Sequence, residues 1–378
     1  MSLDSSSPRL LFFVGDLDYF LSHRFSLAQK AVAEGYNVWV MTPGFASSKI
    51  LPGPINVFFL EGFHRTSLSF LSLWKERKLI LAAFKIVQPD LLHNVAMKPI
   101  FLGSRLVNAS CGVINDFGGL GYTFTQSSTR LEFKKFILKL IFYFFLPIMI
   151  WGKRCVVLCQ NFQDFKILKR CVGLKTPVYS IPGSGIDMES FSVLPMPPGP
   201  PWKLLFAARL LKEKGLRELV EARKLLPKRG VEIWVCGDID PKNPSSFTKS
   251  QIMEWQEAGL IRWLGFQKDL RSVYAQVHGA VLPSYREGLP RSLLEASAWG
   301  RPIITTRVPG CEDVVVDGVT GYLTKPWNSL DLSRTIRMWM EDEKKEEKGR
   351  AGHFYVSEYF SKEKIHPQIL RLYRTVCS

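Results

Sequence analysis

The chain has 378 residues, 46% hydrophobic and 22% charged, a composition that excludes intrinsic disorder and exceeds what one ordinary core organises. Lys and Arg outnumber Asp and Glu by 50 to 34, so the molecule is drawn to anionic surfaces, substrates or polymers, and charge alone does not choose among them. Seven scattered cysteines, odd in number and without a C-x-x-C pair, exclude a disulfide framework or a zinc knuckle and fit a reducing cytoplasm.

Leu10 to Val14 is too short a run for a secretory leader and reads as a first strand ending at Gly15-Asp16. An amphipathic stretch from Ser26 to Glu34, VWVMT at 38–42, a helix over about 74–87 and DLLHN follow, a rhythm that predicts parallel strands joined by helical crossovers. It continues through GVIND (112–116), CVVLC (155–159) and a helix near 162–172. Between them, helical spacing from Arg130 to Ile141 sets Phe133, Phe136, Ile137 and Leu140 on one arc and Arg130, Lys134, Lys135 and Lys139 on the other. Two readings stand for this segment: a basic amphipathic helix lying in the headgroups of an anionic leaflet, or a buried crossover helix. The apolar run Leu140 to Trp151 is broken by Pro147 and too short to span a bilayer.

The prolines of MESFSVLPMPPGPPW forbid a helix and read as a stiff interdomain linker. The alternation then restarts with KLLFAAR (203–209), VEIWVCGD (231–238), IRWLG (261–265), GAVLPS (279–284) and PIITTR (302–307), each followed by a helix or loop, before a charged helix (330–349) and a tail helix (361–376). Two doubly wound domains are expected, 1–187 and 202–360, with 188–201 as the linker.

In an open parallel sheet, ligands bind beyond the carboxyl ends of the strands, where loops meet helix N-termini. Gly288-Leu289-Pro290 occupies that position, with Pro290 suited to the first helical turn and the amides ahead of the helix suited to a diphosphate. Glu295 falls about a turn and a half inside, where a carboxylate accepts two hydrogen bonds from a ribose diol, while Glu287 points to whatever hangs off the phosphate. An isolated pair with this spacing is more often a loop carboxylate and an exposed helix residue.

The context changes that reading, because PSYREGLPRSLLEA, spanning Glu287 to Glu295, resembles the signature of the family 4 retaining glycosyltransferases with the GT-B fold. AARLLKEKG (207–215) is similar to the family's diphosphate segment, which implies that Arg209 and Lys214 neutralise the leaving nucleoside diphosphate; taken alone, this spacing is a surface face. WLGFQKDLRSVYAQ resembles the strand and loop that hold the base, around Gly265 and Phe266, and CGDIDPKNPSS and VPGCEDVVVDGVTGYL also match in order. In the first half, LSHRFSLAQKAVAEGYNVWVMTP, LLHNVAMKPIFLGSRLVNASCGVINDFGGLGYTFT and VYSIPGSGIDMESF resemble bacterial enzymes that extend a saccharide on a polyprenyl diphosphate.

The resemblance implies an α/β GT-B fold of two Rossmann-like, doubly wound lobes facing each other across a cleft, with the tail helix 361–376 packed back on the first. It implies transfer of a hexose or N-acetylhexosamine, with retention, from a UDP-sugar to a polyprenyl diphosphate-linked saccharide in surface-polysaccharide or glycan assembly. Glu287, Arg209 and Lys214 would be catalytic, and Gly265, Phe266, Gly288, Leu289, Pro290 and Glu295 would hold the donor. Lys98, Gly118, Gly119 and Gly121 would face the acceptor or a phosphate, the glycines by letting backbone come close. His93 is a position of the subgroup and, outside that context, a satisfied strand-end histidine. No cofactor or metal is expected, since Arg209, Lys214 and the helix start supply the positive charge. Nucleic acid is not an expected partner, because no binding motif interleaves aromatics with the basic residues. A cytoplasmic protein, peripheral on the inner face of the membrane, follows.

Two departures from the pattern stand out: NDFGGLG offers no histidine where many members have one, and Gly310-Cys311-Glu312-Asp313 replaces Gly-Cys-Arg-Glu. A GT-B-type epimerase and a catalytically inactive nucleotide-sugar or membrane-binding module are the competing readings.

Overall fold

The structure is a computed structural model that describes residues 7–44, 51–64, 69–124, 130–150, 152, 154–241 and 243–377. It divides into two compact units, residues 1–185 with 363–378, and residues 186–362.

The first unit is built on seven strands: β1 (Arg9–Val14), β2 (Asn37–Pro43), β3 (Ile55–Leu60), β4 (Leu91–Val95), β5 (Gly112–Phe117), β6 (Cys155–Cys159) and β7 (Val178–Ser180). All pairs are parallel, in the order β3-β2-β1-β4-β5-β6-β7. Every residue of β4, β5 and β6 is buried, which is why these strands read as apolar runs and not as alternating ones. The C-terminal helix Lys362–Cys377 sends Ile365, Ile369, Tyr373 and Val376 into the same core as Leu10, Phe12 and Ile114. Its end lies so close to β5 that a side chain at Gly112 would sit 2.6 Å from the Val376 carbonyl oxygen.

The helix Arg130–Ile150 has two faces in its second half. Phe142, Leu146 and Ile150, one helical turn apart, join the core beside Val113, Phe117 and Leu168. Phe136, Leu140, Phe144 and Ile148, equally spaced, are exposed. The segment is therefore a crossover helix on one side and an uncovered apolar stripe on the other. The side chains of Arg130, Phe133, Lys134, Lys135 and Ile137 lie outside the described residues, and no helix among those described is long and apolar enough to cross a membrane.

The second unit has six parallel strands: β8 (Trp202–Ala207), β9 (Val231–Cys236), β10 (Arg262–Gly265), β11 (Gly279–Leu282), β12 (Ile303–Thr306) and β13 (Gly321–Thr324). Their order is β10-β9-β8-β11-β12-β13. The charged helix expected over 330–349 is two, Ser329–Glu341 and Lys345–Phe360. Asp342 breaks it with an extended ψ of 114°, and its carboxylate takes Tyr322 Oη at 2.5 Å and Lys348 Nζ at 2.8 Å.

The stretch read as a stiff interdomain linker belongs to the second unit. Phe191 packs on Trp299 with ring centroids 4.7 Å apart, and the Leu194 amide donates to the Trp299 carbonyl at 3.1 Å. Arg301, only 1% exposed, donates from Nη1 to Leu194 O at 3.0 Å, from Nη2 to Pro195 O at 2.8 Å and from Nε to Tyr274 O at 2.9 Å. A proline-rich segment has no helical partners for its carbonyls, and one guanidinium fork satisfies them here. Burial lowers the Arg301 pKa to about 10, still far above neutral, so the fork stays charged. Arg301→Met should strand the Leu194 and Pro195 carbonyl oxygens and destabilise the second unit by about 3 kcal/mol. Calorimetry should then show one transition displaced to lower temperature and the other unmoved.

Candidate active site

In both sheets the strand order reverses once, between β1 and β4 and between β8 and β11, the place where open parallel sheets bind their ligands. In the second unit the loops beyond the reversal are 208–215 and 283–290. They touch backbone to backbone: Gly215 has φ +74°, and a Cβ there would lie 2.0 Å from the Pro283 carbonyl oxygen. The Tyr285 amide donates to Glu213 O at 2.9 Å across the same seam.

That approach brings Lys214 to Glu287. The ammonium donates to Oε1 at 2.6 Å and to Oε2 at 2.7 Å, and Ser284 Oγ donates to Oε1 at 2.7 Å. The two side chains are 18% and 12% exposed, so water screens them less than a surface pair. Behind them the Glu287 amide donates to Pro309 O at 3.0 Å, and Gly310, with φ +82°, leaves the space the Glu287 backbone fills. The Cys311 thiol beside them is fully buried, and burial, reinforced by the Glu287 charge, pushes its pKa up to about 12. Arg209, in the loop after β8, is exposed, and none of the described residues pairs with its guanidinium.

The remaining donor-side residues gather at the same edge. Gly237 holds three strand ends together. Its amide donates to Gly265 O at 2.9 Å, its carbonyl accepts Trp263 Nε1 at 3.0 Å, and a Cβ on it would lie 1.9 Å from Ala208 O. Gly265, at φ +67°, has open space where a side chain would be, and Phe266 is exposed beside it. Leu289 packs against the core.

Two expectations change here. Pro290 is not in the first helical turn: its ψ of 105° makes it the residue before the helix Arg291–Ala298, and its carbonyl accepts the Leu293 and Leu294 amides. Glu295 is held on its own helix, Oε1 accepting from Arg291 Nε at 2.7 Å, because residues four apart share a face.

In the first unit Lys98 pairs with a carboxylate. Its ammonium lies 2.8 Å from Oε2 and 2.9 Å from Oε1 of the buried Glu76, and 2.5 Å from His64 O. A buried carboxylate needs such a cation, and this one is 22 residues away in the chain. Gly118 lies against Tyr19, where a Cβ would be 3.1 Å from Oη, and Gly119 and Gly121 have φ 140° and 56°. The run is anchored by the Leu120 amide, which donates to the buried Asp164 at 3.1 Å, and Asn161 caps the helix Phe162–Val172 by accepting the Asp164 amide. His93 is buried, with its pKa lowered by desolvation, between Tyr373 Oη at 2.6 Å and Asp116 Oδ2 at 3.4 Å.

Sequence reasoning missed Ser284, Asp164, Arg24 and Asp116. The N-x-x-D spacing of Asn161 and Asp164 is a legible helix cap; nothing local marks Arg24 and Asp116 as partners. Among the described residues no group of three or more His, Cys, Asp or Glu is placed to hold a metal ion.

Residues 195–351 match the family model of glycosyl transferases group 1, so the chain carries a domain of that family. Over 141 residues, 37% of this chain and 36% of the relative, it is 33% identical to the N,N'-diacetylbacillosaminyl-diphospho-undecaprenol alpha-1,3-N-acetylgalactosaminyltransferase of Campylobacter jejuni. It is 28% identical over 173 residues, 45% of each protein, to the Staphylococcus aureus capsular polysaccharide biosynthesis glycosyltransferase CapM. The chain thus spans less than half the length of these two curated relatives. With the Escherichia coli UDP-Gal:alpha-D-GlcNAc-diphosphoundecaprenol alpha-1,3-galactosyltransferase it is 22% identical over 316 residues, 78% of this chain and 77% of that one. Two solved structures share the fold. Sucrose-phosphate synthase from Thermosynechococcus elongatus has a TM-score of 0.80 at 19% identity, covering 98% and 99% of the two chains. Anabaena Alr3699/HepE in complex with UDP and glucose has a TM-score of 0.72 at 17% identity, covering 97% and 100%. The expected α/β GT-B fold is borne out by these likenesses and by the two parallel sheets.

Gly310→Ala should disturb this wall more than any surface change nearby. Its Cβ would meet the Glu287 carbonyl oxygen at 2.6 Å in a backbone conformation that alanine resists, so a loss of about 2 kcal/mol is expected. A thermal melt checks it, with Gly318→Ala, also at positive φ but with open space around it, as the milder control.

Proposed function

We propose that this chain is a retaining hexosyltransferase that moves a hexose or N-acetylhexosamine from a UDP-sugar to a saccharide carried on a polyprenyl diphosphate, in surface-polysaccharide or glycan assembly. The observation that carries this reading is the Lys214–Glu287 pair at the second unit's strand reversal, with Arg209 exposed at the same edge of a group 1 domain. The names of the C. jejuni and E. coli relatives, which specify diphosphoundecaprenol-linked sugars, favour the acceptor class, and the E. coli name favours a UDP-sugar donor.

In this reading negative charge grows on the diphosphate as the bond from the anomeric carbon to its oxygen breaks, and the Arg209 and Lys214 cations stabilise it, with no metal required. Lys214 reaches both that charge and Glu287, so its ammonium sets the carboxylate against the transferred sugar. Glu295 keeps Oε2 for a ribose hydroxyl while Arg291 holds Oε1. The acceptor hydroxyl attacks from the face the diphosphate leaves, and its proton passes to a diphosphate oxygen, which accounts for retention without a protein nucleophile.

The uncovered stripe Phe136, Leu140, Phe144 and Ile148 meets the acyl boundary of an anionic leaflet, where a lipid-linked acceptor resides and to which a chain with 16 more cationic than anionic residues is drawn. This makes the protein peripheral on the cytoplasmic face.

Thermal-shift titration with UDP, GDP and ADP should show a several-degree rise for UDP alone, reduced in Glu295→Ala. Glu287→Ala should keep the UDP response and lose at least about a hundredfold in turnover, whereas full turnover in that variant refutes the role of Glu287. Flotation with phosphatidylglycerol vesicles should capture the wild-type chain, and Phe144→Glu with Ile148→Glu should stay in the dense fraction.

A further inference from the structure

The first unit contains a buried charge that this chemistry leaves unused. Asp116, near the carboxyl end of β5, accepts from Arg24 Nη2 at 2.5 Å, and its Oδ2 lies 3.4 Å from His93 Nε2. His93 Nδ1 meets Tyr373 Oη at 2.6 Å, and all four side chains are buried. Two segments meet at the carboxylate, the turn after the helix Leu17–His23 and β4, and the C-terminal helix reaches it through His93. Such an ion pair adds little net stability over apolar side chains of the same shape, since desolvation offsets the attraction. Its geometric effect is more distinctive.

The Asp116 carbonyl accepts the Ala96 amide at 2.9 Å. Ala96 has φ 75° and ψ 164°, a conformation nearly confined to glycine, and it is exposed just beyond β4, where the strand order of the first sheet reverses. Gly118, two residues past Asp116, borders Tyr19 of the helix Leu17–His23. Strain of this kind persists only where the surroundings over-determine it, and it gathers where ligands bind. Here the determining contacts are the Val95–Asp116 register of β4 and β5 and the Arg24 and His93 ties on the Asp116 side chain.

We propose that Asp116 is a positioning residue of the acceptor site: tied by Arg24, by His93 and through His93 by Tyr373, it fixes the Ala96 turn and the Gly118–Gly119 backbone against which the diphosphate-linked saccharide binds. This rests on the transferase reading given above.

The test follows UDP release from a UDP-sugar, with and without a polyprenyl diphosphate N-acetylglucosamine in detergent, for the wild-type chain, Asp116→Asn, Tyr373→Phe and the apolar pair Arg24→Met with Asp116→Leu. UDP affinity is measured in parallel. Tyr373→Phe should raise the acceptor KM several-fold, and both Asp116 variants by about tenfold or more, with UDP affinity unchanged. A variant at Asp116 that does not fold leaves the decision to Tyr373→Phe, which removes one hydroxyl. An unchanged acceptor KM in the folded variants, or a parallel loss of UDP affinity and turnover, overturns the proposal. A wild-type chain that binds no UDP and releases none overturns the transferase reading, and this proposal with it.

Discussion

The contact on which the second unit's chemistry depends is between backbones: Gly215 against Pro283, too close for any side chain. Everything polar follows from it. The two loops beyond the strand reversal are brought into register, the Tyr285 amide reaches Glu213 O, and Lys214 closes on both oxygens of Glu287. Gly310 does the same on the far side of Glu287, and Gly237 ties the loop bearing Arg209 to the strand ending in Gly265. Three glycines at close approach therefore hold the cationic and anionic groups in place, which fits the rule that a site needs a rigid shell more than it needs many polar residues.

The first unit organises its carboxyl end by another means. Its loops are joined by buried charge: Glu76 with Lys98, Asp164 with the Leu120 amide, and Asp116 with Arg24 and His93. Each of these carboxylates is nearly inaccessible to water, and each is satisfied by a donor from a different segment. Charge buried in this way specifies geometry more than it stabilises, because an unpaired alternative arrangement is excluded by its desolvation cost. The C-terminal helix enters that scheme through Tyr373 while filling the core with Ile365 and Ile369, so the chain's last segment supports both the packing and the polar end of the first sheet.

The long helix of the first unit shows how one periodicity serves two environments. Residues 142, 146 and 150 join the core, and residues 136, 140, 144 and 148 are exposed. Counting hydrophobic residues could not show which of them the fold would cover, because apolar residues stand on both faces of the helix. The division came from the sheet, which covers only one side.

The alternation of strands and helices, the two doubly wound halves and the order of the motifs were legible in the sequence, since each is set by residues within about a dozen positions and by the 2.0 and 3.6 periods of the chain. Arg209, Lys214, Glu287 and Glu295 stood out as candidates through the resemblance of their surrounding motifs to the family pattern, since their spacing alone reads as surface. Pairing was not legible. Lys214 meets Glu287 across 73 residues, Arg24 meets Asp116 across 92 and His93 meets Tyr373 across 280. Nothing near Lys98 in sequence announced Glu76, and residues 188–201 read as a stiff interdomain linker because nothing near them announced Arg301. Sequence by itself determined which elements form and where their loops fall; which charge neutralises which, and which carbonyl a buried guanidinium holds, was decided only when folding removed those groups from water and required each to find a partner.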